Sequence, residues 1–339
     1  MSLIVRIADL RKDRLVLLDA LKEHLGVQNN EQRFDWLYLN GAFGNARAWI
    51  LSDEKGSTIG MAALFPRTFS DAGRTVSGAV LGDFCLARTW RTLGPAIKLQ
   101  RACLAELTGS PFSMAYDFPS DGMQAIYKRL GCGREMDIVR LSKPLRVERF
   151  VSRGTKRVPG AALLSRAGNA ILQWKDEVGG HRNSCDVSTV EGSVAEEFTE
   201  LAMEMRTEPG IRVLRNAKYI QWRFQKHPYR EYEILAARRR GKLHGYLVLA
   251  VEADHASIVD LSVASQPEVF SALVARATAV SRARGSRTIS ISLSRGHSST
   301  ILLRNMGFYE REKRVAIICG QTDKGNSKDW YLTDGDRES

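Results

Sequence analysis

Residues 83–96 run from an apolar strand through a short turn into the start of a helix, an order that suits anion binding. The turn carries Arg91 and Gly94, and Pro95 follows at a position that favours the first turn of a helix. A helix start has unpaired backbone N–H groups and the positive end of the helix dipole. Gly94 and Ala96 let a ligand come close to that backbone. The stretch therefore predicts a phosphate site.

The cysteines give no sign of a metal site, a disulfide framework or a covalent nucleophile. There are five, scattered without a C-x-x-C pair, so we expect reduced thiols and no metal ligands. Cys85 lies next to the phosphate-binding stretch, but no histidine is near it in sequence. We therefore expect Cys85 not to act as a nucleophile.

The elements around this stretch predict an α/β domain with a mixed sheet over residues 1–142. Leu3–Ala8 alternates like a strand, and Arg11–Leu25 is an amphipathic helix. A hairpin turns at Gly56, and the strand of residues 74–87 leads into the phosphate-binding turn. The predicted order β-α-α-β-β-β-α-β-α-β ends with a strand over residues 134–142 that closes the domain.

Residues 185–322 repeat this plan and predict a second domain of the same kind. Trp222 corresponds to Trp36, and the turn glycine Gly241 corresponds to Gly56. In the turn of this copy, Glu268 and Ser271 stand where Arg91 and Gly94 stand in the first. An acidic residue facing phosphate is unfavourable, so we expect the second domain to have lost its anion site. The polar residues 323–339 predict a flexible tail.

Residues 143–184 join the two copies and differ from both. The segment up to Arg157 is strongly basic, and residues 161–174 form an amphipathic pattern. We interpret the segment as a linker whose helix packs between two domains. The alternative is peripheral contact with an anionic membrane surface, which a basic segment beside such a helix can bind.

The chain of 339 residues carries a net charge of +12 with a pI near 9.6, which favours anionic partners. Nucleic acid is the less favoured partner, because no helix-turn-helix or zinc pattern is present. No leader-like start and no apolar run of about 18 residues is found. We expect a cytoplasmic protein, with the inner face of the membrane as a further location.

The spacing Arg91-x-x-Gly94-x-Ala96 after a strand resembles the acyl-CoA pyrophosphate loop of the GNAT superfamily of N-acetyltransferases. The whole chain resembles tandem-GNAT proteins, with an intact loop in the first half only. A narrower resemblance, to bacterial proteins associated with exopolysaccharide or cell-envelope glycan synthesis, rests on the stretch from Trp222 to Pro228, WRFQKHP.

The GNAT resemblance implies acetyl-CoA or another acyl-CoA as co-substrate, with no metal. It implies N-acyl transfer to a small-molecule amine, with an amino sugar or sugar nucleotide as the more specific expectation. The residues implied to bind the cofactor are Cys85, Leu86 and Ala87 through their backbone, and Arg91, Thr92, Leu93, Gly94, Pro95 and Ala96 in the turn.

The same resemblance assigns proton transfer to a few side chains. Tyr127 precedes Gly131 at a helix end, where the superfamily places a tyrosine that protonates the departing CoA thiolate. An attacking ammonium must first lose a proton, and Asp83 in the strand before the loop is the predicted base. Asp117 in the following strand, and His227 if the two halves close on each other, are the alternatives.

Two other functions fit the sequence. FemAB-type enzymes, which take an aminoacyl group from tRNA, are also tandem GNAT folds, and the positive charge suits RNA. The intact CoA-type loop argues against this alternative. The third hypothesis is a non-catalytic scaffold in a glycan assembly complex.

Overall fold

The computed structural model describes residues 2–26, 30–108, 112–146, 185–264, 266–320 and 330–338. Most of the basic linker, including the amphipathic pattern at 161–174, lies outside the described residues. Within the described residues, no helix is long and apolar enough to cross a membrane.

The first half alternates helices and strands in the predicted order. Its elements are β1 (Ile4–Ile7), α1 (Arg14–Ala20), α2 (Asn30–Phe34), β2 (Arg47–Ser52), β3 (Thr58–Asp71), β4 (Arg74–Leu86), α3 (Leu93–Ala105), β5 (Met114–Asp117), α4 (Asp121–Leu130) and β6 (Arg134–Pro144). Two π-helical turns, Leu21–Leu25 and Asp35–Leu39, extend α1 and α2.

The second half follows a similar order and adds two short strands. Its elements are β7 (Asp186–Thr189), α5 (Glu197–Glu204), β8 (Ile211–Val213), α6 (Ala217–Ile220), β9 (Glu233–Arg239), β10 (Lys242–Glu252), β11 (His255–Val263), α7 (Pro267–Ala283), β12 (Thr288–Ser294), α8 (Ser299–Asn305), β13 (Tyr309–Gly320) and β14 (Trp330–Tyr331). A π-helical turn, Gln221–Gln225, extends α6.

The described strands of both halves join in one mixed sheet of fourteen strands, which confirms the predicted mixed α/β fold. Its main path is β1-β2-β3-β4-β5-β13-β6-β12-β11-β10-β9-β7, and β8 and β14 add to β3 off this path. In the first half, α1 and α2 pack on one face of the sheet, and α3 and α4 pack on the other.

The last strand of each half lies beside the other half. β13 pairs antiparallel with β5 of the first half, and β6 pairs antiparallel with β12 of the second. The two exchanged strands also pair with each other. The sequence predicted that residues 134–142 close the first domain by themselves, but the strand beside β5 is β13. The division into two domains stays a prediction, and its proposed boundary at residue 142 falls inside β6.

The carboxy-terminal residues are held in the interior. Trp330 is 1% exposed, and Leu332 and Asp336 are both 0% exposed. Asp336 accepts a 2.7 Å hydrogen bond from Arg215, and its carbonyl accepts one of 2.6 Å from the Tyr116 hydroxyl. The prediction of a flexible tail is therefore wrong for residues 330–338, because buried ion pairs and aromatic packing hold them.

Candidate active site

β4 and β5 part at one end of their shared length. Their parallel pairing covers only Gly78–Val80 against Met114–Tyr116, although β4 continues to Leu86. Beyond Val80, the edge of β4 that faces β5 has no strand beside it among the described residues. This splay leaves backbone groups open to an added extended ligand.

A cleft of about 320 Å³ lies at the end of the splay. Six of the nine residues predicted to bind the cofactor line it: Cys85, Leu86, Arg91, Thr92, Leu93 and Ala96. The rest of the lining comes from Phe84, the end of α1 at His24, and the first turns of α4. Ala87, Gly94 and Pro95 are not part of this lining.

The start of α3 presents its first backbone donors without a side-chain cap. Thr92 precedes the helix, and its side chain makes no capping hydrogen bond. By contrast, Ser120 caps the neighbouring helix α4 by accepting the Met123 N–H at 3.4 Å. Gly94 is exposed, and a Cβ placed there would meet no atom within 4 Å. An anion can therefore approach the N–H groups of this turn.

Arg91 holds the turn against the strand and the first helix. Its Nε donates to the Leu86 carbonyl at 3.1 Å, and its Nη2 donates to the His24 carbonyl at 3.1 Å. The guanidinium therefore fixes the shape of the turn and also places a positive charge on the lining of the cleft.

Of the three strand residues predicted to pair with the cofactor, Leu86 faces the open side. The Ala87 N–H donates to the carbonyl of Ile59 in β3 at 2.8 Å. Backbone groups of neighbouring residues in a strand point to opposite sides, so Leu86 points its groups away from β3. The Leu86 carbonyl already accepts a hydrogen bond from Arg91. The Leu86 N–H is therefore the group that can donate to a ligand in the cleft.

Burial favours the neutral thiol of Cys85 over the thiolate. It is 4% exposed, and burial raises its pKa to about 12. A thiol with such a pKa is a poor nucleophile at neutral pH. This agrees with the expectation that Cys85 does not react.

Asp83 lies on a bulge of β4, buried in an ion pair. Arg33 donates to its two carboxylate oxygens at 2.7 and 2.8 Å, and the Tyr38 hydroxyl donates at 2.7 Å. The pairing register with β3 shifts beside it, and its φ of +48° is strained for a residue with a side chain. Each oxygen of Asp83 therefore already accepts a charge-assisted hydrogen bond from Arg33.

The second half contains an equivalent ion pair. Asp260 lies three residues before the end of β11, as Asp83 lies three before the end of β4. It accepts hydrogen bonds from Arg215 at 2.9 and 3.0 Å and from the Tyr246 hydroxyl at 2.8 Å. The two halves thus share an aspartate–arginine–tyrosine arrangement at equivalent places.

Tyr127 is buried rather than exposed to the cleft. Its hydroxyl donates to Asp117 Oδ2 at 2.7 Å and accepts from Gln100 Nε2 at 3.0 Å. Burial raises the pKa of Asp117 to about 7, so this carboxyl exchanges its proton near neutral pH. Tyr127 and Asp117 thus form a buried hydrogen-bonded pair at the end of β5, and Gln100 fixes the orientation of the tyrosine hydroxyl.

The corresponding splay of the second half is filled by the chain itself. β11 and β12 pair only from His255 to Ile258 and from Thr288 to Ile291. Beyond that point, residues 331–333 lie between the strands: the Tyr331 hydroxyl donates to the Leu261 carbonyl, and the Ser294 N–H donates to the Leu332 carbonyl at 3.1 Å. The segment takes the place that an extended ligand would need.

The turn before α7 is also shorter than its counterpart. Six residues, 87–92, join β4 to α3, whereas three, 264–266, join β11 to α7. Glu268 is therefore the second residue of its helix, as Gly94 is of α3, and the sequence comparison that set it against Arg91 was shifted by three residues. A carboxylate in this first turn repels phosphate.

The stretch WRFQKHP is explained by packing. Trp222 stacks on Trp36 with ring centroids 4.8 Å apart, and each indole N–H donates to the other's carbonyl, at 2.9 and 3.0 Å. Arg223 Nε donates to the Gly335 carbonyl at 2.9 Å. His227 Nδ1 accepts hydrogen bonds from the backbone N–H groups of Tyr229 and Arg230, both at 3.2 Å. Burial lowers the pKa of His227 to about 3. These residues join the halves and hold the carboxy-terminal segment.

Glu338 is the acidic residue near the splay that the sequence did not single out. Its side chain packs on Gly82 of β4, and burial raises its pKa. The partners Arg33, Tyr38 and Gln100 were also missed, because they lie far in sequence from the groups they bind. The only sequence signal was the glycine at position 82, which leaves space beside the strand.

No family model matches the chain. No curated protein matches it. Among solved structures, a conserved protein of unknown function and probable N-acyltransferase from Enterococcus faecalis V583 is similar, with a TM-score of 0.68 at 13% identity over 94% of this chain and 72% of that one. A GCN5-related N-acetyltransferase from Anabaena variabilis ATCC 29413 has a TM-score of 0.68 at 14% identity with the same coverage.

A GCN5-related N-acetyltransferase from Kribbella flavida has a TM-score of 0.62 at 16% identity, over 94% of this chain and 71% of that one. At such identities the similarity shows the fold alone. The structural neighbours are thus GCN5-related N-acetyltransferases of the GNAT superfamily, whose mixed α/β fold this chain shares.

Proposed function

We propose that the protein is an acyl-CoA-dependent N-acyltransferase, with acetyl-CoA as donor and a primary amine as acceptor. The observation that carries the proposal is the cleft between the splayed end of β4 and the uncapped start of α3. It offers an extended acyl chain an open strand edge and offers a diphosphate the backbone donors of a helix start. The fold of the neighbours gives further support.

The donor lies along the cleft in a defined direction. The diphosphate meets the N–H groups of Leu93 and Gly94, with the charge of Arg91 beside it. The pantetheine chain lies along the edge of β4 and accepts a hydrogen bond from the Leu86 N–H. The thioester then reaches the point where β4 and β5 part. The second half binds no donor, because residues 331–333 fill its splay and Glu268 opposes phosphate.

Proton transfer uses the groups at the end of β5. Tyr127, which follows Ile126 of the cleft lining, is the proposed acid for the departing thiolate, a role that requires its hydroxyl to turn from Asp117 toward the sulfur. Asp117 then resupplies the proton. Because burial brings the pKa of Asp117 to about 7, the pair can deliver and recover a proton in neutral solution. Asp83, whose oxygens are both occupied, holds α2 against the bulge of β4 and is not the base.

The acceptor class is a small-molecule amine, with an amino sugar or sugar nucleotide as the specific candidate. The residues WRFQKHP give this candidate no direct support, because they pack between the halves. A positive net charge of +12 favours anionic acceptors, and sugar nucleotides are anionic. Synthesis of envelope polysaccharide at the inner face of the membrane is the setting that fits such an acceptor.

Calorimetry with CoA tests donor binding. We expect the unaltered protein to bind CoA and Gly94→Leu to lose at least about tenfold in affinity, because the new side chain blocks the backbone donors. The variant keeps its fold, since a Cβ at Gly94 meets no atom within 4 Å. The matched control is Ser271→Leu in the first turns of α7, with unchanged affinity. Equal affinity of Gly94→Leu, or no CoA binding at all, would refute the proposal.

A further inference from the structure

The side chain of Glu338 lies where β4 and β5 part. A Cβ built on Gly82 would lie 2.7 Å from Cγ of Glu338 and 3.1 Å from its Cδ. Gly82 is two residues beyond Val80, the last residue of β4 that pairs with β5. The glutamate side chain therefore packs on β4 in space that only a glycine leaves free, close to the point where the splay begins.

The segment that carries Glu338 is fixed. Asp336 is paired with Arg215 at 2.7 Å, and its carbonyl accepts the Tyr116 hydroxyl of β5 at 2.6 Å. The Arg337 carbonyl accepts a hydrogen bond from Arg223 at 3.1 Å. These contacts of the two preceding residues hold Glu338 in place without engaging its carboxyl group.

The carboxyl group of Glu338 is surrounded by charge but keeps a lone pair available. One oxygen accepts the residue's own backbone N–H, while the buried Oε2 has no hydrogen-bond partner among the described residues. The charged groups that act on it are Asp83 and Arg33 from the first half and Arg337 from its own segment. It acts in turn on Asp117 of β5. Asp83, by contrast, has both oxygens occupied.

We propose that Glu338 is the general base that takes the proton from the acceptor amine. This assignment rests on the proposed N-acyl transfer. The protonated amine gives one proton to the Glu338 carboxylate, and its freed lone pair forms the C–N bond to the thioester carbonyl carbon. The C–S bond then breaks, and a proton reaches the sulfur as the amide nitrogen loses its second one. Glu338 finally releases its proton to solvent.

This role predicts a specific pH dependence. Burial raises the pKa of Glu338 above that of an ordinary glutamate, and the neighbouring Asp83 carboxylate adds to the shift. The carboxylate form, which accepts the proton, is therefore lost at a higher pH than usual. The acid limb of the pH profile of kcat/KM should have an apparent pKa above that of an ordinary glutamate. This limb should disappear when Glu338 is replaced.

The kinetic test compares Glu338→Gln with Asp334→Asn, which removes a partly exposed carboxylate from the same segment. Acetyl-CoA consumption is measured with glucosamine, lysine and spermidine as amines. We expect Glu338→Gln to lower kcat/KM by about 10²-fold or more and to remove the acid limb. Its CoA affinity by calorimetry should stay within about twofold. Full activity of Glu338→Gln would overturn the proposal.

A second measurement needs no acceptor. The full-length protein is labelled with ¹³C at glutamate carboxyl groups, and the Glu338 signal is assigned by its absence in Glu338→Gln. We expect a pKa above the ordinary glutamate value that moves when acetyl-CoA binds. An ordinary pKa that acetyl-CoA leaves unchanged would overturn the role of Glu338 while CoA binding persists. Failure of the unaltered protein to bind acetyl-CoA would instead refute the proposed function and this assignment with it.

Discussion

Asp83 and Asp260 are each locked to a buried arginine at equivalent places in the two halves. We predict that Asp83→Asn lowers the free energy of unfolding by about 3–5 kcal/mol, because it leaves the buried Arg33 without its counter-ion. Urea unfolding followed by tryptophan fluorescence measures this loss. The same substitution at Asp260, far from the cleft, should also lower the stability, but by less, because Arg215 keeps Asp336 as a counter-ion.

The two variants separate a structural role from a catalytic one. If Asp83 only holds the fold, both variants lose stability and their residual folded fractions bind CoA equally well. A variant Asp83→Asn with unchanged stability but abolished acyl transfer would show instead that Asp83 is the base. The sequence could place Asp83 in the right strand, but it could not reveal Arg33, which lies 50 positions away.

At the scale of elements, the turn before β6 controls the contact between the exchanged strands. Gly133 has a φ of +83°, and a Cβ there would lie 2.3 Å from Cγ2 of Ile317 in β13. We predict that Gly133→Ala destabilises the protein by about 2–4 kcal/mol, through both the strained φ and the overlap. Thermal and urea unfolding measure the change.

Gly131→Ala is the matched control for this prediction. Gly131 has a φ of +62° at the end of α4, but a Cβ there would meet no atom within 4 Å. Its cost should be the strain of the left-handed backbone alone, about 1 kcal/mol. Equal costs for the two variants would mean that the overlap with β13 is relieved by small shifts of the strands.

Most elements of both halves could be predicted from the sequence, because their signals are local. The alternation in β1, the apolar spacing of α1 and the turn glycines Gly56 and Gly241 each depend on a few neighbouring residues. The order of strand, turn and helix at residues 83–96 was predicted for the same reason. The short strands β8 and β14 carry no such pattern, since each is defined by a partner in another part of the chain.

At the scale of the whole molecule, the arrangement of the last strands and of the carboxy-terminal segment escaped sequence reasoning. A strand with alternating apolar residues fits beside either β5 or β12, so periodicity cannot choose between them. The polar composition of residues 323–339 suggested a loose tail. Within the described residues 330–338, Asp336 is instead buried in an ion pair with Arg215, and residues 331–333 lie at the open ends of β11 and β12.

The exchange of β6 and β13 makes the two halves depend on each other. We predict that a protease site inserted in residues 147–184, outside the described residues, can be cut without separating the pieces in native gel filtration. β6 pairs with β12 over Thr288–Ser294, and β13 pairs with β5 over Ile317–Gly320. After cleavage, β6 of the first piece therefore stays paired with the second piece, and β13 of the second piece stays paired with the first. The pieces should separate only when urea unfolds them, in one transition shared with the uncut protein. Two independently folded domains would instead elute apart after cleavage and unfold at different urea concentrations.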